Sequence, residues 1–364
     1  MPNESNWCPE VYRSMFVDYH NNDRVRIAPC CQADTAIEPV EEFNFATSPH
    51  LTKLREQFTL DKKPSACNRC WQAEKLGTKS RRQSAIEFFK VTAPDQTVVL
   101  ESIDHIATWA CNSACVICSP QSSSMWATEL GLEKSKLIKL GRSFQKKNNF
   151  FDMLDYSNIK KLHFNGGEPM INLDQVKLLE QIDLSSTFIS YNTNGTVYPS
   201  QQIVELWKKT KLVKLFFSID ATEQAFEYIR YPGRWQQVAD NMIAMKQNLP
   251  SNVMFGFNIA VGSHNVFELP DIYNWFHTNL LTNRENDPSD FCWQLAYNYD
   301  VTRLPTHLKQ LAIDQLLPID QYSGLINLLQ IEKTISNSWI DELTIIDQRR
   351  NTDWKKSLKI GKYY

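Results

Sequence analysis

The chain lacks an excess of charge of either sign: 39 Lys and Arg against 41 Asp and Glu leave a formal net charge of -2 over 364 residues. The basic residues are scattered rather than blocked, so the sequence offers no electrostatic footprint for a nucleic acid. It also lacks any apolar run approaching the roughly 20 residues that a membrane-spanning helix needs. Its polar start, Met1-Pro-Asn-Glu-Ser-Asn6, is not a secretory leader. These absences point to a cytoplasmic protein with no membrane segment. What is present is enough to fold: with 42% hydrophobic and 22% charged residues the chain can bury a full core, as one large domain and a small one. Nine cysteines would suggest disulfides in a secreted protein. In a reducing compartment, and at metal-like spacings, they read as thiolates for metal.

The most informative stretch is Cys111-Asn-Ser-Ala-Cys115-Val-Ile-Cys118, three thiols in one short loop with no fourth nearby. Zinc sites and iron-sulfur clusters are normally held by four ligands, so a compact trio leaves one metal position unfilled by the local chain. The stretch follows Glu101 to Thr108, whose apolar residues alternate as in a half-buried strand, and precedes Ser119-Pro-Gln-Ser-Ser-Ser124, rich in turn and capping residues. The thiols therefore sit on a loop at a strand's carboxyl end. A zinc ion borrowing a distant fourth ligand is the alternative to a cluster with an open iron.

On these residues the sequence resembles the radical S-adenosylmethionine (radical SAM) enzymes, whose signature is C-x-x-x-C-x-x-C after a first strand. The resemblance implies that Cys111, Cys115 and Cys118 hold a [4Fe-4S] cluster, that SAM chelates the fourth iron, and that one electron cleaves SAM to a 5'-deoxyadenosyl radical. One departure is visible. The residue before the third cysteine is usually aromatic in the family, and here Ile117 stands there, which can keep an apolar contact to adenine but not a stacked one.

The region up to about Phe89 carries a second set of thiols. Cys8 precedes a strand expected over Val11 to Tyr19, Asn21 to Asp23 read as a turn, and a return strand over Arg24 to Ile27 ends at Pro29-Cys30-Cys31. After an acidic, loop-like stretch, Ser48 to Phe58 reads as a short amphipathic helix, and Cys67-Asn-Arg-Cys70 follows. A C-x-x-C knuckle beside a hairpin carrying thiols assembles a four-thiolate site for zinc or for an iron-sulfur cluster. Here the sequence is similar to radical SAM proteins of the SPASM/twitch group that place an auxiliary [4Fe-4S] module before the barrel. The match runs through Cys8, Cys30-Cys31, Lys63 to Cys67, Cys70-Trp71, Glu74, Gly77, Ser80 and Arg82. It implies Cys8, Cys30, Cys67 and Cys70 as ligands. Neighbours in an extended segment point to opposite faces, so Cys30 and Cys31 do not both reach one cluster. An exchange of roles between Cys8 and Cys31, or one open iron, are the alternatives.

From Val98 onward strands and helices alternate. Strands are expected at Ile103 to Trp109, Lys161 to Asn165, Thr187 to Asn192, Val213 to Ile219, Val253 to Val261 and Phe291 to Tyr299. Helices are expected at Asp174 to Ile182, Ser200 to Lys209, Arg234 to Gln247 and Val266 to Thr278. This specifies an α/β fold of parallel strands with right-handed crossovers, as a doubly wound sheet or a barrel segment. The resemblance selects a partial (β/α)6 TIM-like barrel. The expected organisation is an auxiliary module over 1–95, the barrel over 96–315 and a helical cover with a basic, aromatic tail over 316–364.

In such barrels the chemistry gathers at strand carboxyl ends. Asn165-Gly166-Gly167-Glu168-Pro169 offers close backbone approach and a carboxylate able to accept from an ammonium. Alone it is a glycine turn; in the resemblance it is the segment that binds the SAM amino group, with Glu168 as acceptor. Asn194, Ser218 and Asp220 read as turn or helix-cap residues on their own. The resemblance implies that they face SAM, that Arg230 pairs with its carboxylate and that Asn258 lies by the adenosine. Polar and aromatic residues over Trp293 to Asp300 and Leu304 to Leu308 suggest substrate contacts, with the tyrosines reading equally as amphipathic core residues, and Cys292 reads as a small buried hydrophobe. No general base stands out.

Two classes of function fit. One is a radical enzyme acting on a peptide, a protein or a small molecule, the last as a dehydrogenase, with an auxiliary cluster as electron relay and a donor such as flavodoxin or ferredoxin. The other is a binding protein whose thiols hold structural zinc.

Overall fold

The computed structural model describes residues 6–19, 24–75, 79–91, 95–106, 109–132, 150–281, 291–296 and 298–364. The expected turn at 21–23, Gly77, Tyr297 and the end of the first barrel strand at 107–108 lie outside the described residues. The chain opens with a short helix α1 (Glu10–Arg13), strands β1 (Ser14–Tyr19), β2 (Arg24–Ala28) and β3 (Ala36–Pro39), and helices α2 (Pro49–Thr59), α3 (Asn68–Lys75) and α4 (Arg81–Phe89). Strands and helices then alternate: β4 (Ser102–Ile106), α5 (Ser124–Glu129), β5 (Lys161–Asn165), α6 (Asp174–Leu179), β6 (Phe188–Thr193), α7 (Gln201–Trp207) and β7 (Leu212–Phe217). There follow α8 (Glu223–Ile229), α9 (Trp235–Asn248), β8 (Val253–Val261), α10 (Leu269–Asn279) and β9 (Phe291–Leu295). Helices α11 (Thr306–Leu316), α12 (Ser323–Leu329), α13 (Ser338–Arg350) and α14 (Trp354–Ser357) come last.

Two compact units make up the fold. The first comprises 1–109, 132–191 and 205–213; the second comprises 110–131, 192–204 and 214–364. In the first unit the strand order is β3-β2-β1-β4-β5-β6, and in the second β7-β8-β9. From β4 onward each strand within a unit lies beside its neighbour in sequence, without the order reversal of a doubly wound sheet. The pairs β4·β5, β5·β6 and β8·β9 are parallel. This is the open, singly wound form of a partial barrel, not a doubly wound sheet.

The amino-terminal hairpin departs from the sequence expectation in three places. Residues 11–13 form a helical turn rather than the start of a strand, because Pro9 supplies a helical φ of -67° and its carbonyl accepts from the Tyr12 and Arg13 amides at 3.0 Å. The acidic stretch before α2 contains β3, which pairs antiparallel with β2, Val25 opposite Glu38. The hairpin also joins the sheet: β1 runs parallel to β4, with Ser14 opposite Ser102 and Asp18 opposite Ile106. Later elements follow their periodicity with shifted ends. The helix expected at Val266 opens as a tighter turn over Val266–Glu268 before α10, and β9 ends at Leu295. Cys292 is half-buried rather than buried.

Local chemistry sets the helix ends. Ser48 caps α2 by accepting from the Leu51 amide at 3.3 Å. Ser80 caps α4 in a reciprocal box: its hydroxyl accepts from the Gln83 amide at 3.1 Å while its own amide donates to the Gln83 side chain at 2.9 Å. In the first unit's core, Leu162, Phe164, Ile189 and Tyr191 are almost wholly buried, and the Phe164 and Tyr191 rings stack at 4.9 Å and 14°. In the second unit Phe257 sits fully buried among Phe217, Phe276, Trp275 and Phe291. The carboxyl-terminal helices are tied into this unit, with the Tyr322 hydroxyl donating to the Leu269 carbonyl at 3.2 Å and the Lys359 amide donating to Glu268 at 2.7 Å. Among the described residues no helix is long and apolar enough to cross a membrane.

Phe164 tests this core. Phe164→Ala removes a stacked ring from a buried layer and is expected to cost about 3–5 kcal/mol, measured as a shift of the urea midpoint at unchanged slope. A loss under about 1 kcal/mol, within the range of ordinary surface changes, would mean that the ring is not part of a packed layer.

Candidate active site

The cysteine loop belongs to the second unit, and its backbone is held from several directions. Ser123 and Ser124 at the start of α5 reach back to it: the Ser123 hydroxyl donates to the Ser113 carbonyl at 2.6 Å, and the Cys111 amide donates to Ser124 Oγ at 3.0 Å. The Ala114 and Val116 amides donate to the carbonyls of Tyr231 at 2.6 Å and Ile229 at 2.8 Å. Trp126 Nε1 donates to the Cys115 carbonyl at 2.7 Å. This bonding presents the three thiols in different settings: Cys115 is buried, and Cys111 and Cys118 are half-buried.

Arg230 is the charged centre of this site. Its guanidinium pairs with Asp220 at 2.5 Å and lies 3.7 Å from Cys115 Sγ. Asp220 is fully buried and its other oxygen accepts from the Ala260 amide at 2.8 Å. The Asp220 carboxylate and the thiols of Cys115 and Cys118 hold Arg230 firmly charged, outweighing its burial. Burial pushes the Cys115 thiol up while Arg230 draws it down. Burial and the neighbouring Cys115 push Cys118 up to about 12. Thiols in such a place deprotonate when a cation binds them, which is the condition an iron-sulfur cluster meets. The donor set therefore fits a thiolate-held cluster with a guanidinium at one sulfur.

The remaining expected residues of this unit support the loop. Asn194 Nδ2 donates to Asn112 Oδ1 at 2.9 Å and Ser113 Oγ at 3.1 Å, while its Oδ1 accepts from the Thr196 amide at 2.9 Å. It is a clamp between the end of β6 and the cysteine loop. Gly195 follows with φ +72°, a conformation that disfavours a side chain, and a Cβ there would meet Val238 at 3.1 Å. Ser218, just past β7, is half-buried and its amide donates to the Thr193 carbonyl at 2.7 Å. Asn258 on β8 reaches Asn192 at 3.4 Å.

In the first unit the Gly166-Gly167-Glu168 segment closes β5. Gly166 and Gly167 have φ of +80° and +51°. A Cβ on Gly166 would lie 2.3 Å from Ile106 Cγ2, so a side chain is excluded there. Glu168 is fully buried and its Oε1 accepts from the Met170 amide at 3.0 Å. Its carboxylate thus caps the turn that follows.

The amino-terminal thiols also gather in the first unit. Cys8, Cys30, Cys67 and Cys70 line one small cavity whose other walls include Phe58 and Trp71. Cys31 is not among its lining residues and is exposed, with Arg81 Nη1 3.2 Å from its sulfur. Burial pushes Cys67 up to about 12, chiefly helped by Cys70. Burial also raises Cys70, while the Arg82 and Arg81 amides at the start of α4 draw it down. Behind the cavity Arg82 forks onto Glu74 with two 2.9 Å bonds and donates to the Trp7 carbonyl at 2.9 Å, and Ser80 donates to Glu74 at 2.6 Å. Four thiols in an apolar cavity with amide donors at one sulfur fit a thiolate-held group. Among the described residues, no three or more His, Cys, Asp or Glu side chains are grouped as ligands of a single metal ion.

Three features escape sequence reasoning. Arg81 joins Glu10 at 3.0 Å and Asp104 at 2.8 Å, linking elements far apart in sequence. His163, pushed down to about 4 by burial, lies 2.8 Å from Ser190 Oγ, with Asp104 and Ser190 at the paired positions on the flanking strands. His264 is fully buried 4.6 Å from the Tyr299 ring, and burial and Arg230 push it down to about 3. A lone histidine carries no spacing signal. The Asp104, His163 and Ser190 row becomes visible only once strand register is known.

Residues 106–276 match the model of the Radical SAM superfamily. The matched span, just under half of the chain, contains the trio of thiols, so the chain carries a Radical SAM superfamily domain. No curated protein matches the chain in sequence. Among solved structures, the chain is similar to native anSMEcpe with bound AdoMet, at 15% identity and a TM-score of 0.40 over 62% of this chain and 61% of that one. It thus spans about three fifths of the length of that protein. It is also similar to Streptococcus suis SuiB, at 12% identity and a TM-score of 0.38 over 88% of this chain and 75% of that one, and to SuiB bound to the precursor peptide SuiA, at 12% and 0.38 over 90% and 76%.

The buried Arg230 and Asp220 pair is testable by a double-mutant cycle in chemical unfolding. Arg230→Met strands a buried carboxylate and is expected to cost about 3–5 kcal/mol, with much of that recovered when Asp220→Asn is added. Strictly additive losses would contradict the coupling.

Proposed function

We propose that this enzyme reductively cleaves SAM at the Cys111, Cys115 and Cys118 loop and abstracts hydrogen from a peptide, protein or small-molecule substrate, with a second cluster held by the amino-terminal thiols. The observation that carries the reading is the open trio itself, with Arg230 at the sulfur of Cys115. A [4Fe-4S] cluster bound there would supply the one electron needed to break the SAM sulfur to C5' bond, the chemistry that releases methionine and lets the 5'-deoxyadenosyl group take a hydrogen atom from the substrate.

The chain's own residues bind, orient and enclose. Cys111, Cys115 and Cys118 would hold the cluster. Glu168 accepts a hydrogen bond from the SAM amino group, and Gly166 and Gly167 allow the backbone to approach it. Arg230 receives the SAM carboxylate, with Asp220 keeping its guanidinium fixed and charged. Asn194 orients the cysteine loop, and Ser218 and Asn258 flank the nucleoside. Cys8, Cys30, Cys67 and Cys70 would hold the auxiliary [4Fe-4S] cluster, which would supply an acceptor or relay for the electron released when a substrate radical is oxidised. The cavity shared by these four thiols, without Cys31, supports that ligand set. In this reading 1–95 is the auxiliary module, 96–315 the barrel and 316–364 a cover, the electron donor is a flavodoxin or ferredoxin, and the compartment is the reducing cytoplasm.

Anaerobically reconstituted protein, reduced with dithionite, is expected to contain iron for two four-iron clusters and to turn SAM slowly into 5'-deoxyadenosine and methionine. Changing Cys111, Cys115 and Cys118 together to Ala should abolish cleavage. The Cys67→Ala, Cys70→Ala variant should still cleave SAM while losing the second cluster's iron. Undiminished cleavage in the triple variant would overturn the site. Stoichiometric zinc with iron for one cluster would make the amino-terminal module a structural ribbon.

A further inference from the structure

The cysteine loop receives side-chain hydrogen bonds on three consecutive carbonyls, and two of the three donors lie outside the matched radical SAM span. Trp126 holds the Cys115 carbonyl; the Tyr299 hydroxyl lies 3.4 Å from the Val116 carbonyl; and Arg350 Nη2, from the last turn of α13, donates to the Ala114 carbonyl at 2.7 Å. Arg350 is the most constrained. Its side chain is 3% exposed, it forks onto Glu129 with two 3.0 Å bonds, and its guanidinium lies 4.7 Å from the Trp126 ring centre and 4.5 Å from that of Tyr231. Trp126 and Tyr231 are themselves bonded to the loop. A planar cation clamped between two rings, with a carboxylate on one edge and a loop carbonyl on another, uses the features that distinguish arginine from lysine.

We propose that Arg350 is a positioning residue for the SAM-binding cluster: the carboxyl-terminal helix fixes the Ala114 to Val116 backbone through it, and its buried charge, balanced by Glu129, sets the cluster's reduction potential. The inference rests on the three-thiolate reading above. The electrostatic part follows from place. A reduced cluster carries one more negative charge than an oxidised one, so a buried cation beside the loop favours reduction and a buried carboxylate opposes it. Arg350 and Glu129 therefore act on the cluster with opposite sign although they are partners in one ion pair. Loosening of the loop alone would give both changes the same direction.

The test is a redox titration of the SAM-binding cluster followed by electron paramagnetic resonance, in reconstituted full-length protein. Arg350→Met should lower the midpoint potential and Glu129→Gln should raise it. Arg350→Lys keeps the charge and loses the fork, so it should leave the potential near that of the wild type while SAM cleavage falls severalfold. Shifts of the same sign in Arg350→Met and Glu129→Gln, or no shift in either, would overturn the proposal. If Arg350→Met does not fold, Glu129→Gln decides: a raised potential supports the inference and an unchanged or lowered one ends it. A wild-type protein that takes up no cluster at all would instead defeat the three-thiolate reading.

Discussion

Charge in a place sheltered from water is the constraint on which the second unit depends. Burial pushes the thiols of Cys115 and Cys118 up, so they resist losing their protons. Arg230 answers it directly at Cys115, and Asp220, bonded to the Ala260 amide, keeps Arg230 where it is. Around that pair the chain spends its hydrogen bonds on the loop: Ser123, Ser124, Trp126 and Arg350 fix its backbone, and Asn194 holds the side chains of Asn112 and Ser113. Such preorganisation suits the electron-transfer role proposed for this site, because groups already oriented need not rearrange when the charge changes.

The same logic governs the amino-terminal thiols with different parts. Cys70 takes amides at the start of α4, and Arg82, Glu74 and Ser80 lock that helix end to Trp7. The hairpin that brings Cys30 is not an independent appendage, since β1 pairs in parallel with β4. The thiols of this region are thus attached to the sheet through backbone bonds, and Arg81 adds a side-chain link from α4 to Asp104 on β4. A rigid attachment suits a group whose proposed task is to relay electrons.

Much of this was legible in the sequence because local signals carry it. The cysteine spacing, the Gly166-Gly167-Glu168 turn and the capping serines are short patterns with a direct physical meaning, and the strand and helix alternation is a matter of period. Long-range register was not legible. The parallel pairing of β1 with β4, the strand β3 in an acidic stretch and the Asp104, His163 and Ser190 row all depend on which residues meet across strands. The turn at residues 11–13 failed as a strand because Pro9, whose helical φ and carbonyl start a turn, outweighed an apolar run. Arg350 was invisible for another reason: 236 positions separate it from Ala114, and it sits in a helix whose pattern reads only as a cover.

The central claim is that the 111–118 loop leaves one iron open to SAM. Its most direct test uses the Cys67→Ala, Cys70→Ala background, in which the amino-terminal site is disabled and one cluster remains. The electron paramagnetic resonance spectrum of the dithionite-reduced protein should change on addition of SAM, because the amino and carboxylate groups of SAM would join the open iron. A reduced cluster whose spectrum is the same with and without saturating SAM would contradict the account.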